Sequence, residues 1–294
     1  MGTYTEFSVA GYPLFHSKSS VIPEVMTVFR EGDKQIFARR LGDRNPLVWG
    51  EALAADVDEM ETATAYIANT DSVIARLDVM GFTINRVRHD YETGRQTELA
   101  MYQEWVNNET DTEWLAEKVR LIESLSFDTY LDALRQVMAA GYLPEPFDDN
   151  KKPGLSEAIR YLLDDNEDYQ LGFFASDLRS LVRVACEVAP KPSKVVQDIT
   201  NLVDGGYYAL GDPVCQQSID SLTLGHLENS NRIVLTEGST DTQVLKSSLR
   251  LLYPHLSDYY SFLDFENVRV PGGAGQLASL IMNRPVCARH FRAC

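Results

Sequence analysis

Two carboxylates four residues apart are the strongest chemical signal in this sequence. Glu237 comes two residues after the end of the apolar run 233–235 and just before Gly238, and Asp241 follows at the predicted start of a helix. Carboxylates at this spacing suit a hard divalent cation such as Mg²⁺, which takes oxygen ligands. The alternative is that Asp241 only complements the positive N-terminal end of a helix dipole.

The elements on either side of these carboxylates predict where they lie. The run 233–235 is apolar without alternation, which predicts a strand buried on both faces in a parallel sheet. The helix after it is predicted to begin at Thr240 or Asp241. Its apolar face is formed by Leu245, Leu249 and Leu252. Ligands bind outside the carboxyl ends of strands in such sheets, so Glu237 is expected at that edge.

The chain before this stretch changes its hydrophobic period twice. Residues 3–50 contain short apolar runs separated by Gly and Asp turns, which predicts a strand-rich unit. The period is helical over residues 51–189, and the acidic run 51–61 is predicted to be a solvated helix face. Residues 192–229 revert to a strand and turn pattern, and residues 195–199 are expected to return to the N-terminal sheet.

Two amphipathic helices can be placed from spacing alone. Leu115, Val119 and Ile122 recur at helical intervals and predict one buried helix face. A second helix is predicted to begin near Asp128 and to end at Gly141, where a glycine C-cap is expected. Both helices contribute to a core and offer no chemistry of their own.

Charge and cysteine usage exclude several classes of protein. The 27 basic and 43 acidic residues give a formal net charge of −16, which argues against broad electrostatic binding of nucleic acid. Nucleic acid is therefore expected to reach the protein through a metal site. The four cysteines form no CxxC pair and predict neither a disulfide framework nor a zinc site. No apolar run reaches the roughly 18 residues of a membrane span. A cytoplasmic protein without membrane association is expected.

Two separate stretches resemble a known family. Residues 233–241, the predicted strand 267–270 and the glycine-rich loop 271–275 resemble the opening half of a Toprim domain, the catalytic fold of topoisomerases, primases and OLD-type nucleases. Residues 1–7 and 28–34 resemble the HEPN/Toprim-associated N-terminal domain. The resemblance implies an α+β N-terminal module joined to a nuclease-type effector in bacterial anti-phage systems.

The resemblance also implies a domain organisation and a function. Residues 1–229 would form the sensor or regulatory domain, residues 230–281 an incomplete α/β Toprim-like half-domain, and residues 282–294 an atypical basic tail. The module would respond to an invader-derived trigger or to a protein partner. The effector would be a Mg²⁺-dependent nuclease, and this chain is expected to be inactive alone because its metal site is incomplete.

The site residues follow from matching this sequence to the Toprim pattern. Glu237 and Asp241 match the catalytic and metal-binding acids. A complete Toprim domain carries an Asp-x-Asp pair after its glycine loop, whereas Asp264 precedes the loop here. Asp264 is therefore either a third metal ligand or part of a solvated turn. The residues expected to bind phosphate or nucleotide are Gly272, Gly273 and Gly275.

Two other functions are compatible with the same residues. The Toprim-like part can serve as a scaffold that binds a partner protein or a nucleotide without catalysis, through the loop 272–275. The chain can also be an antitoxin-like or inert fragment. Loss of activity on replacing Glu237 distinguishes the nuclease hypothesis from both.

Overall fold

A five-stranded antiparallel sheet organises the N-terminal part of the protein. The computed structural model describes residues 3–49, 57–108, 113–144, 154–163, 170–223, 232–236 and 238–264. The strands are β1 (Tyr4–Val9), β2 (Tyr12–Lys18), β3 (Lys34–Arg40), β4 (Met60–Asn69) and β5 (Lys194–Asp198). Their order in the sheet is β2-β1-β5-β4-β3. With the helices described below, the fold is α+β, as expected from the sequence.

The central strand comes from a distant part of the chain. β5 pairs with β1 on one side and with β4 on the other, so that Gln197 lies opposite both Phe7 and Tyr66. This confirms that the segment predicted over residues 195–199 rejoins the N-terminal sheet. The sheet therefore combines strands that precede the long helical segment with one strand, β5, that follows it.

Helices fill the segment between β4 and β5 and flank it. Short helices α1 (Pro23–Met26) and α2 (Pro46–Trp49) precede β4. The helices between β4 and β5 are α3 (Thr70–Met80), α4 (Ile84–Asn108), α5 (Glu113–Ser124), α6 (Phe127–Ala140), α7 (Glu157–Leu163) and α8 (Leu178–Val188). After β5 come α9 (Thr200–Asp204) and α10 (Val214–Thr223).

Both helices predicted from spacing are confirmed. Leu115 and Ile122 are fully buried on α5. α6 ends at Gly141, whose φ of 67° is the left-handed conformation that a glycine C-cap adopts without a steric penalty. Residues 192–229 were expected to be strand and turn, and that expectation is wrong for α9 and α10. Turn residues such as Gly205 and Gly206 lie between these two helices.

Aromatic side chains form the two halves of the core. On the inner face of the sheet, Phe7 packs against Phe15 and Phe29 at ring-centroid distances of 5.6 and 5.9 Å. In the helical layer, the buried ring of Tyr91 is surrounded by four others at 5.2–5.4 Å. These four are Phe127, Tyr130, Phe173 and Phe174. Such aromatic contacts add to the stabilisation from apolar burial.

Within the acidic run 51–61, residues 57–61 form a turn and the start of β4, and not the helix face that the charge of the run predicts. Glu61 lies in β4 opposite Arg39 of β3. Its carboxylate accepts hydrogen bonds from Arg39 Nε at 2.6 Å and from Arg44 Nε at 2.8 Å. The Thr and Ala alternation of residues 62–65 favours a strand, and the neighbouring acids obscure it. Residues 50–56 lie outside the described part.

A second, smaller unit follows the N-terminal domain. It consists of β6 (Arg232–Thr236), α11 (Ser239–Leu252), a 3₁₀ turn (Pro254–Tyr259) and β7 (Tyr260–Asp264). β6 and β7 pair in parallel, and α11 makes the crossover between them. In the described part of the chain, no helix combines the length and apolar character needed to span a bilayer.

Candidate carboxylate site at the parallel strand ends

The carboxyl ends of β6 and β7 lie side by side. The register pairs Leu235 with Leu263 and Thr236 with Asp264, so both strands end at the same level. α11 begins at Ser239, three residues after the end of β6. This is the strand–helix–strand arrangement that places ligands outside the carboxyl edge.

The parallel partner of β6 is a strand that sequence analysis does not predict, Tyr260–Asp264. Asp264 is therefore the last residue of β7, at the carboxyl end of the strand. The strand predicted at 267–270 is not tested, because those residues lie outside the described part. The pairing depends on tertiary contacts that the hydrophobic pattern of either segment cannot specify.

Thr236 joins the end of β6 to the first turn of α11. Thr236 is buried, with 8% of the residue's surface exposed. Thr236 Oγ1 lies 2.5 Å from Thr242 Oγ1 and 3.1 Å from the carbonyl oxygen of Gly238, so it ties the strand end to the first turn of α11. The site prediction from the sequence omits this residue. A threonine at the end of an apolar run, six residues before a second threonine, is the signal that the sequence offers.

Asp241 points back over the same turn. It lies in the first turn of α11, after Gly238 at the N-cap position, and its side chain is exposed. A Cβ atom at Gly238 would be only 3.8 Å from Asp241 Oδ2, so the carboxylate sits above the turn. This position suits a metal ligand and also suits an acid that complements the helix dipole.

Most of the other predicted site residues lie outside the part of the chain that the structure describes. Glu237 and the glycine loop lie outside the described part. The glycines in question are Gly272, Gly273 and Gly275. For Asp264 the structure gives the backbone position alone. Within the described part of the chain, no three His, Cys, Asp or Glu side chains are grouped closely enough to hold a metal ion.

The strand that carries the site is less buried than its sequence predicts. Residues 233–235 are half-buried, because within the described ranges β6 pairs with β7 alone. α11 is also more exposed than expected. Leu245 and Leu252, predicted to face a core, are 45% and 65% exposed, and Leu251 beside them is 81% exposed. A two-stranded sheet offers too little surface to cover the apolar residues of a 14-residue helix.

The small unit is fastened to the N-terminal domain along α3. At the start of β6, Arg232 donates from Nε to the Val79 carbonyl at 3.2 Å and from Nη2 to the Met80 carbonyl at 2.7 Å. These carbonyls belong to the last turn of α3, where helical C=O groups lack intrahelical partners and favour a cation. At the other end, Tyr259 donates its hydroxyl to the Thr27 carbonyl at 2.7 Å. Burial raises the pKa of Tyr259, so the hydroxyl remains a donor at neutral pH.

Comparison with known proteins finds one match. A family model described as HEPN/Toprim N-terminal domain 1 matches residues 1–221, which include the whole five-stranded sheet and almost all of α10. The chain shows no significant similarity to a curated protein or to a solved structure. The match indicates a nuclease-associated N-terminal module.

Proposed function

Because the chain belongs to the HEPN/Toprim N-terminal domain 1 family over residues 1–221, we propose that it is the sensor or regulatory module of a Mg²⁺-dependent Toprim nuclease effector in bacterial anti-phage defence. The family domain supports the regulatory part of this function. The unit β6–α11–β7 supports the catalytic part, as the beginning of a Toprim-like domain over residues 230–281.

One observation carries the catalytic part of the proposal. Thr236 and Asp264 are register partners at the ends of two parallel strands. Glu237 follows Thr236 directly in the sequence, and Asp241 overhangs the same turn. Asp264 therefore belongs to the same edge of the sheet as Thr236, the residue that precedes Glu237 in the sequence. That edge is where α/β sheets bind their ligands.

The donor chemistry of these residues fits Mg²⁺. Glu237, Asp241 and Asp264 offer carboxylate oxygens, the ligands that this hard cation prefers. Bound Mg²⁺ would neutralise charge on a phosphodiester and orient a water for attack. The contribution of the protein is to keep the turn after β6 in one conformation through Thr236 and to leave Asp241 open to solvent. With a net charge of −16, contact with nucleic acid would be local to this edge.

Titration with Mn²⁺, a spectroscopic substitute for Mg²⁺, tests the site without requiring cleavage. Glu237→Gln and Asp264→Asn are each expected to weaken Mn²⁺ binding by at least about tenfold, since even outer-sphere changes cost metal sites that much. Asp241→Asn should do the same if Asp241 is a ligand. If it only complements the helix dipole, stability should fall by about 0.3–1 kcal/mol and Mn²⁺ binding should not change. Asp132→Asn, an exposed carboxylate paired with Arg135 on α6, is the matched control.

Incubation with plasmid DNA and Mg²⁺ or Mn²⁺ completes the test. Cleavage that disappears in Glu237→Gln would establish the nuclease function for this chain. If the wild-type chain neither binds Mn²⁺ nor cleaves DNA, the metal site proposal is wrong. Nucleotide binding that is lost in Gly273→Ala but retained in Glu237→Gln would then support the non-catalytic binding function through the glycine loop.

A further inference from the structure

A five-residue segment of the N-terminal domain contacts both the small unit and the helix that leads to it. We call residues 30–34 the junction segment. It comprises the end of the α1 loop, the 3₁₀ turn Glu31–Asp33 and the first residue of β3. These residues belong to the stretch that carries the N-terminal family resemblance, to which the sequence assigns no role.

Arg30 binds the 3₁₀ turn that precedes β7. Its Nε donates to Asp258 Oδ2 at 2.7 Å, and its Nη1 donates to the Pro254 carbonyl. Asp258 and Pro254 both lie in the turn Pro254–Tyr259, which continues without a break into β7. Arg30, which precedes β3 of the family domain, therefore binds the turn that leads into β7.

Arg76 of α3 holds the same turn from the other side. Its side chain is almost completely buried, at 3% exposure. Nη1 donates to Asp33 Oδ2 at 2.6 Å and to the Val28 carbonyl at 2.8 Å, while Nε donates to the His255 carbonyl at 3.1 Å. A buried guanidinium needs all its partners, because an unpaired buried charge is strongly destabilising. Arg76 therefore fixes the junction segment and the turn relative to each other.

The junction segment also fixes the helix that leads toward β6. Glu31 Oε1 accepts from the backbone N–H groups of Cys215 and Gln216 at 2.8 and 3.1 Å, at the start of α10. Its Oε2 accepts from the Tyr66 hydroxyl at 3.0 Å, so the contact reaches β4 in the sheet. A carboxylate at a helix N-terminus satisfies the unpaired N–H groups and favours the dipole.

These contacts connect the sheet of the family domain to both strands of the small unit. β3 begins at Lys34, within the junction segment, and pairs with β4. β4 runs directly into α3, which carries Arg76 and whose last carbonyls bind Arg232 of β6. The β3–β4 pair is therefore connected to β6 through α3 and to β7 through Arg30 and Arg76.

We propose that the junction segment and Arg76 are the positioning device through which the family domain sets β7 against β6 and so regulates the carboxylate edge. Arg30 and Arg76 are positioning residues and do not touch the metal. Without the contacts that Arg30 and Arg76 make to the turn, Asp264 would have no fixed position beside Thr236. A strand advances about 3.3 Å per residue, so a slip of one residue would remove Asp264 from the site. The regulatory consequence rests on the proposed function, whereas the positioning itself does not.

Charge reversal across the junction tests the positioning directly. Arg30→Glu and Asp258→Arg place like charges at the pair, and each is expected to lower amide hydrogen-exchange protection of residues 254–264 by about tenfold or more. Protection of β5 should not change. The double variant restores an opposite-charge pair and should recover most of the protection. The matched control reverses Arg135 and Asp132, an exposed pair of similar length on α6 at 2.6 Å.

A second variant, Arg76→Met, and a second measurement, Mn²⁺ binding, separate the possible outcomes. Arg76→Met should lower protection of residues 254–264 more than Arg30→Glu does, because it removes a buried donor. Unchanged protection in both single variants, with the chain still folded, would overturn the proposal. Failure of the double variant to recover protection would overturn the role of the Arg30–Asp258 pair. If the wild-type chain binds Mn²⁺, weaker binding in Arg30→Glu with recovery in the double variant is expected. If it binds none, the proposed function fails while hydrogen exchange still decides the positioning.

Discussion

Replacement of Gly94 by alanine is expected to destabilise the protein by about 2–3 kcal/mol, although alanine is the better helix former. A Cβ atom at position 94 would lie 1.8 Å from the carbonyl oxygen of Phe174, far inside any contact distance. The obstacle is backbone, so α4 and the Phe174 segment would have to separate. Overpacking of this kind costs about 1–3 kcal/mol or more, which outweighs the roughly 1 kcal/mol gained in helix propensity.

The separation would also disturb the centre of the helical core. Phe174 is fully buried and packs against Tyr91 at 5.3 Å and Tyr161 at 5.6 Å. Urea unfolding of Gly94→Ala measures the loss of stability, and the near-ultraviolet circular dichroism of these rings should weaken. Gln96→Ala, two residues along the same helix at an exposed position, is the control and should change little. Wild-type stability for Gly94→Ala would show that the close approach of α4 to Phe174 is wrong.

Glu61→Gln is expected to cost about 2–3 kcal/mol at neutral pH. The Glu61 side chain is 11% exposed, and its two arginine partners are 14% and 10% exposed. After the replacement, Arg39 keeps its ion pair with Asp198 at 2.6 Å. The Arg44 guanidinium keeps its stacking on the Trp49 ring, at 4.7 Å. Leaving one charge of a largely buried pair uncompensated costs several kcal/mol. The cost is smaller here because the side chains keep some exposure to solvent.

The cost of Glu61→Gln should also depend on pH. Burial alone would raise the pKa of Glu61, but hydrogen bonds from Arg44 and Arg39 outweigh burial and hold that pKa below its usual range. An acid with a lowered folded-state pKa stabilises the protein above its unfolded-state pKa, and the stabilisation is lost as pH falls through the folded-state pKa. The stability difference between wild type and Glu61→Gln should therefore shrink as the solution becomes more acidic than the ordinary glutamate pKa.

Unfolding free energies measured across this acidic range test the linkage. Asp43→Asn is the control, because Asp43 also pairs with an arginine of β3, Arg40, but both side chains are exposed. It should change stability little at any pH, as exposed ion pairs contribute little. A difference between wild type and Glu61→Gln that stays constant down to strongly acidic pH would mean that the Glu61 charge is not what stabilises the site.

Local pattern was sufficient for the elements whose own residues specify them. The helical spacing of Leu115 and Ile122 predicted α5, and Gly141 predicted the end of α6. β5 was recognised as a return to the sheet because a short β-branched run follows a long helical segment. The apolar run 233–235 followed by a capped amphipathic helix gave β6 and α11. The family was also recognisable from residues 1–7 and 28–34, and the match over residues 1–221 confirms it.

Contacts between distant segments decided what the sequence could not. β4 was missed because its acidic neighbours resemble a solvated helix face, whereas Glu61 is in fact neutralised by Arg39 and Arg44 from other parts of the chain. The partner of β6 was not predicted, because each short apolar run can pair with any other. Only the folded chain shows that Tyr260–Asp264 is that partner.

What the sequence by itself determined is the family, the α+β class and the strand–helix order of β6 and α11. What only the tertiary structure decided is how the pieces are joined. Arg30, Glu31 and Asp33 read as an ordinary charged turn, because hydrogen bonds to residues more than 40 positions away leave no periodicity in the sequence. The junction segment, which belongs to the stretch that carries the family resemblance, also binds the turn before β7. Its meaning depends on where α3, α10 and that turn meet, which is a property of the folded chain.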